Sequence, residues 1–162
     1  MTSADRLAEL SEHGVSIWLD SLSRGRLRGG GLAALVRDRH VVGVTTNPTI
    51  FEQALADSSH YASQVQDLGL RGVSPEEAAR SIIGYDVRWA CDVLRPEFNR
   101  TGGVDGRVSI EVDPRVAHDT AKTGAEARAW QWLLARPNVM IKIPATDAGP
   151  GAITAWIQGG AG

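Results

Sequence analysis

The sequence predicts an α/β fold built on a parallel sheet that curves as part of a barrel. Short segments rich in β-branched residues alternate with longer helical stretches, the pattern of strand–helix–strand crossovers. Each short segment also divides into an aliphatic face and a face that ends in a polar or ionisable group. A doubly wound sheet is covered on both sides and its strands read as unbroken apolar runs. One polar face shared by every strand fits a barrel interior instead.

Taken in order, Ser3 is placed to cap a helix running to about Glu12, with Leu7 and Leu10 on one face and Gly14 as its stop. Residues 15–20 form the first predicted strand, with Val15, Ile17 and Leu19 opposite Ser16, Trp18 and Asp20. A flexible stretch over 28–31 leads into a helix over 32–39. The second strand covers 41–45, setting Val42 and Val44 against Gly43, Thr45 and, just beyond, Asn47. Helices follow over about 49–56 and 61–68. Ser74-Pro75-Glu76-Glu77 starts a long helix, with Ser74 as N-cap, Pro75 at the first helical position and Glu77 closing a capping box. That helix is expected to reach about Pro96, before a loop over 101–106. The third strand, 107–112, sets Val108, Ile110 and Val112 against Ser109 and Glu111. Asp113-Pro114 opens a helical region reaching Leu134, with Trp130, Leu133 and Leu134 as its apolar face. Pro137-Asn138 introduces the fourth strand, which Pro144 stops; Val139, Ile141 and Ile143 lie opposite Met140 and Lys142. A last helix covers 151–158.

Composition bounds the function. With 162 residues, 43% hydrophobic and 22% charged, the chain is read as a single soluble domain over 1–162. A net charge of -2 gives no basis for nucleic acid or an anionic membrane as partner. Cys91 is alone, so no disulfide framework exists within the chain and a cytoplasmic location is expected. Residues 1–10 lack the apolar core of a signal peptide, and no run approaches a membrane span. His13, His40, His60 and His118 are dispersed without ligand spacing, so no metal site is expected. No strand feeds directly into Gly29-Gly30-Gly31, which argues against a phosphate loop.

Chemistry gathers where the strands end. Lys142 is one of two lysines against fifteen arginines, placed on a strand of otherwise buried type. Arginine cannot give up its proton, whereas a desolvated lysine can be tuned to attack a carbonyl. A Schiff-base lysine and a strand-end lysine reaching water both fit that segment taken alone. Glu111 needs a partner or a purpose, because its parity points inward on an apolar strand. Asp20 fits either catalysis or capping of the following segment, and Thr45, Thr46 and Asn47 fit either a site or a turn. Asp113 reads as a cap, and Trp89 and Cys91 as core. In a TIM barrel the active site lies at the C-terminal ends of the strands, where Asp20, Asn47, Glu111 and Lys142 fall.

Four motifs then carry a resemblance. Val15-Ser16-Ile17-Trp18-Leu19-Asp20, Gly43-Val44-Thr45-Thr46-Asn47-Pro48-Thr49-Ile50-Phe51, Val108-Ser109-Ile110-Glu111-Val112-Asp113-Pro114-Arg115 and Ile141-Lys142-Ile143-Pro144-Ala145-Thr146 resemble transaldolase, in the family's order and over nearly the whole chain. The likeness is greatest to the actinobacterial and cyanobacterial type. It implies an α/β TIM (β/α)8-barrel enzyme of the pentose phosphate pathway, free of metal and organic cofactor. Such an enzyme moves a dihydroxyacetone unit from sedoheptulose 7-phosphate to glyceraldehyde 3-phosphate, giving erythrose 4-phosphate and fructose 6-phosphate. Carried over by position, Lys142 matches the Schiff-base lysine. Glu111 matches the carboxylate that shuttles protons through a water, and Asp20 the acid/base at the C4 hydroxyl. Thr45 and Asn47 match substrate-binding polar residues, and Ser109 a hydroxyl near the lysine.

Length departs from that family. A barrel of this kind takes about 250 residues, and the chain holds about the first four β/α units, the N-terminal half, before a Gly159-Gly160-Ala161-Gly162 tail. The groups that bind substrate phosphate fall in the half that family members carry beyond it. Three readings follow: a transaldolase of reduced activity, a truncated non-catalytic remnant or interaction protein that keeps the half-barrel, and an aldolase acting on a small unphosphorylated ketone. Open sheet edges make self-association an expectation of all three.

Overall fold

The computed structural model describes residues 5–56 and 58–158. Four strands, β1 (Ile17–Leu19), β2 (Val41–Thr45), β3 (Arg107–Glu111) and β4 (Val139–Lys142), form one sheet in that order. Every neighbouring pair is parallel. Helix α1 (Arg6–Glu12) precedes the sheet; α2 (Arg24–Arg28) and α3 (Gly31–Asp38) connect β1 to β2. The next crossover carries α4 (Pro48–Ala56), a 3₁₀ turn (Ser58–His60), α5 (Ala62–Leu70) and the long α6 (Pro75–Arg100). A second 3₁₀ turn (Pro114–Val116) and α7 (Thr120–Leu134) lead into β4, and α8 (Gly149–Gln158) follows it.

The two faces of the sheet divide as the period of two requires. Val44, Val108 and Ile110 are buried under the helices with Leu32, Val87, Ala90, Leu94, Trp130 and Leu134, and Leu19, Val139 and Ile141 pack against the same core. Each fully buried aliphatic side chain there contributes about 1.5–3 kcal/mol of transfer free energy. Asn138, itself buried, ties the layers together: its Nδ2 donates to Cys91 O of α6 and to Gly106 O at the entry to β3, both at 2.8 Å. Cys91 and Trp89 lie in or against this core, as expected.

Several local expectations change. The predicted cap Ser3 lies outside the described residues, and Asp5 caps α1 by accepting from Leu7 and Ala8 N–H. The stretch read as a flexible entry is the end of α2, capped by Ser23, and Gly30 takes a left-handed φ of 69° to turn the chain into α3. Helix α6 begins at the Ser74 cap as predicted but continues past Pro96 to Arg100. The helical region expected from Asp113 is two pieces, because Asp113 caps only the 3₁₀ turn and Asp119 caps α7 anew. The 159–162 tail lies outside the described residues.

Candidate active site

The parallel registers bring the polar residues of three strands side by side. Thr45 is paired with Ser109 between β2 and β3, and Glu111 with Lys142 between β3 and β4. Lys142 Nζ donates to Thr45 Oγ1 at 3.2 Å and lies 3.7 Å from Glu111 Oε2. Ser109 Oγ donates to the same Thr45 oxygen at 3.1 Å. Thr45 thus accepts twice and anchors the group from β2. The lysine and glutamate side chains are 38% and 32% exposed, so the amine is neither sealed in nor freely solvated.

Adjacent residues hold this frame. Thr46 has the opposite parity and is buried; its N–H and Oγ1 both donate to Ser109 O, at 3.1 and 2.8 Å, fixing the end of β2 to β3. Gly43 shares Thr45's face, and a Cβ there would overlap the Trp18 ring. The indole therefore lies directly on the backbone of β2, an approach only glycine permits.

The remaining predicted residues stand apart. Asn47 Oδ1 accepts from Ile50 N–H at 2.9 Å, capping the first turn of α4. Asp20 is exposed just past β1 and makes no hydrogen bond or ion pair among the described residues. Glu111 and Asn47 also border a cavity of about 640 Å³ between the ends of β2 and β3 and helices α4, α6 and α7, with Phe51, Arg80 and Trp130 among its walls. Lys142, Thr45 and Ser109 do not line it.

One charged cluster escaped the sequence reading. Arg24, which opens α2 shortly after Asp20, is buried and donates through Nε to Asp86 Oδ1 at 2.7 Å. Its other nitrogens donate to Gln64 Oε1 at 2.6 Å and Ile82 O at 3.4 Å. Tyr61 OH donates to Asp86 Oδ2 at 3.0 Å and accepts Arg24 N–H at 2.9 Å. Burial raises the Asp86 carboxyl, against the lowering pull of the Arg24 hydrogen bond. Burial likewise pushes the Tyr61 phenol up to about 12 and the Cys91 thiol up to about 12, which leaves that thiol inert. A signal for the cluster did exist: Asp86 falls inside the apolar stripe of Ile82, Ile83, Val87 and Ala90.

Chemically, the arrangement is an amine with a hydroxyl and a carboxylate within reach, open on one side to a reactant. Among the described residues no cluster of side chains is suited to a metal ion, and no helix is long and apolar enough to cross a membrane.

Comparison with known proteins gives the constellation a context. The transaldolase/fructose-6-phosphate aldolase family profile matches residues 17–161. A transaldolase of Acidothermus cellulolyticus is 64% identical over 156 residues, covering 96% of this chain and 42% of the relative. A transaldolase of Thermobifida fusca is 61% identical over 95% of this chain and 42% of the relative. Transaldolase 1 of Streptomyces avermitilis is 58% identical over 94% of this chain and 40% of the relative. The chain therefore spans about two fifths of the length of these relatives, in agreement with the N-terminal half expected from the motifs. The family's fold is a TIM barrel, and four parallel strands in an open sheet are part of one. The chain belongs to the transaldolase/fructose-6-phosphate aldolase family.

Proposed function

We propose that this chain carries the Schiff-base half of a transaldolase site, with Lys142 as nucleophile. The observation that supports this most is the Lys142 amine held by Thr45 with Glu111 at 3.7 Å on the polar face of the sheet. The neutral amine adds to the ketone carbon of a sugar, and Glu111, through a water, moves the protons that let hydroxide leave as water. The protonated imine then accepts the electron pair when the C3–C4 bond breaks, and Asp20 takes the proton from the C4 hydroxyl as the aldehyde departs. The resulting enamine attacks the acceptor aldehyde, and hydrolysis returns the amine. A positioned base is worth about 10²–10⁴-fold in such steps. The chemistry asks for no metal and no organic cofactor. Thr45 and Ser109 orient the amine, and Asn47 stands at the mouth between capping α4 and meeting substrate.

The substrates are the sugar phosphates of the pentose phosphate pathway, sedoheptulose 7-phosphate and fructose 6-phosphate as donors, glyceraldehyde 3-phosphate and erythrose 4-phosphate as acceptors, and the location is the cytoplasm. Transfer uses binding energy from the remote phosphate to drive chemistry at the reacting carbons. Formation of the imine and transfer to the acceptor are thus separable steps, and trapping reads the first. Borohydride reduction in the presence of dihydroxyacetone or fructose 6-phosphate should give a mass adduct at Lys142, absent in Lys142→Met. An adduct on another residue, or none from folded protein, refutes the reading. The alternative, a non-catalytic interaction protein retaining the half-barrel, draws on the two strand edges that have no neighbour among the described residues and is what remains if trapping fails.

A further inference from the structure

The strands that carry the site are not held alike at their C-terminal ends. Between β3 and β4 the ladder continues past the level of the amine, because Val112 N–H donates to Lys142 O at 3.1 Å. Between β2 and β3 the last backbone rung among the described residues is Thr46 N–H to Ser109 O, also at 3.1 Å. Beyond that rung the chain leaves the sheet: Asn47 caps α4, and Pro48 has no N–H to donate. Yet Thr45 Oγ1, the acceptor for both Lys142 Nζ and Ser109 Oγ, sits at this end of β2.

The Thr46 side chain meets that weakness. It is fully buried, on the face opposite Thr45. A hydroxyl in such a place costs free energy unless it is bonded, and valine would fill the same space without that cost. Thr46 Oγ1 donates to Ser109 O at 2.8 Å, so residue 46 occupies both lone pairs of one carbonyl. The second bond adds nothing to regular strand pairing. It clamps the last rung, fixing the Ser109 backbone from Thr46 while the Ser109 side chain is fixed from Thr45. At 3.2 and 3.1 Å, the two bonds to Thr45 Oγ1 tolerate a shift of only about 0.5 Å before they are lost.

We propose that Thr46 is a positioning residue for Lys142: its hydroxyl locks the end of β2 to β3 and so holds Thr45 Oγ1 where it orients the amine. Being buried, Thr46 acts only through Thr45 and Ser109. The consequence for chemistry rests on the Schiff-base reading, whereas the clamp does not.

Trapping kinetics and amide hydrogen exchange test this. Thr46→Val keeps the volume and removes the hydroxyl. At saturating dihydroxyacetone its rate of borohydride trapping should fall about tenfold, with the half-saturating concentration within about twofold of wild type, the pattern of a misplaced amine. Thr46→Ser keeps the donor and should trap within about twofold of wild type. Thr123→Val is the structural control. It removes another fully buried threonine hydroxyl, one that donates to Val116 O at 2.6 Å, and should leave trapping unchanged. The amide of residue 46 should exchange about tenfold faster in Thr46→Val than in wild type. If Thr46→Val does not fold, Thr46→Ser and Thr46→Ala, which differ by the hydroxyl alone, give the same comparison. Trapping by Thr46→Val no slower than by Thr123→Val, or an unchanged amide at residue 46, overturns the proposal. No adduct from folded wild type counts against the Schiff base alone; the clamp then stands if the residue 46 amide speeds up in Thr46→Val and falls if it does not.

Discussion

Around Arg24 and around Lys142 the chain assembles the same three kinds of group: a cation, a carboxylate and a hydroxyl. The first set is sealed, with Arg24 and Asp86 side chains 4% and 1% exposed and 2.7 Å apart. The guanidinium nitrogens reach Asp86, Gln64 and Ile82 O, and the rings of Tyr61 and Tyr85 lie 4.7 and 4.6 Å from its central carbon. The second set is half open, with its ion pair at 3.7 Å and, among the described residues, a single hydrogen bond from the ammonium, to Thr45. Arginine keeps its proton, and here each of its three side-chain nitrogens has a partner, so the first set can only hold. Lysine can lose its proton and has donors and space to spare, so the second can react. Saturation and exposure, rather than the inventory of groups, separate a clasp from a site.

The largest effect expected from this contrast is on stability. Arg24→Met leaves Asp86 buried beside one hydroxyl, and loss of one partner of a buried pair costs about 3–5 kcal/mol. Lys142→Met removes a half-exposed cation and should cost less than about 1 kcal/mol while abolishing any adduct. Urea unfolding of both variants measures the difference. Equal losses would erase the distinction between clasp and site.

Alkaline pH probes the clasp next. The Tyr61 phenol is held up to about 12 against an ordinary 10.0, first by burial and then by the charge of Asp86. The folded state therefore keeps a proton that the unfolded chain releases. That stability is fully present below pH 10 and is lost as pH rises from 10 towards 12, to an extent of about 2–3 kcal/mol. Tyr61→Phe should start less stable, having lost both hydrogen bonds of the hydroxyl, and should decline less steeply over that window. Identical slopes would show that the phenol does not carry the effect. Asp86 also has a raised carboxyl, so its contribution is fully present below 3.8 and lost as pH rises through the folded-state value. Asp92 and Asp113 are lowered by hydrogen bonds from Arg136 and Arg115, so theirs is present above 3.8 and lost as pH falls.

The open cluster was legible in the sequence and the clasp was not, for a physical reason. Strand parity is local, and a period of two by itself places Thr45, Ser109, Glu111 and Lys142 on one face. The pair Arg24–Asp86 spans 62 residues and depends on how α2 meets α6, which no local period encodes. Helix α2 was missed because Gly25 interrupts its five residues, which have no apolar stripe, and Gly29 ends them; a Ser23 cap and the buried Arg24 hold it instead. Proline disfavours helix continuation, yet α6 runs on through Pro96, where buried Leu94 and the packing of Phe98 against Gly103 and Gly106 outweigh it. The structure also places Asn47 in a cap and leaves Asp20 without a partner among the described residues, outcomes set by the turns after the strands.

The smallest effect, and the sharpest test of the contrast, is the coupling between Lys142 and Glu111. At 3.7 Å, with both side chains about one third exposed, water competes for each group and salt screens the attraction. A double-mutant cycle of Lys142→Met, Glu111→Gln and the double variant should give a coupling of about 0.2–1 kcal/mol at low salt, shrinking in 1 M salt. Glu111→Gln keeps the shape and removes the charge, so a weak ion pair predicts near-native stability while adduct formation slows through loss of the proton shuttle. Thr45→Val controls for the hydrogen bond: it deprives both Lys142 and the buried Ser109 hydroxyl of an acceptor and should cost more, about 1–3 kcal/mol. A coupling above about 3 kcal/mol that survives salt would mean that the lysine is clamped in solution as Arg24 is. It would then be a structural cation, and the reason for assigning it the chemistry would be gone.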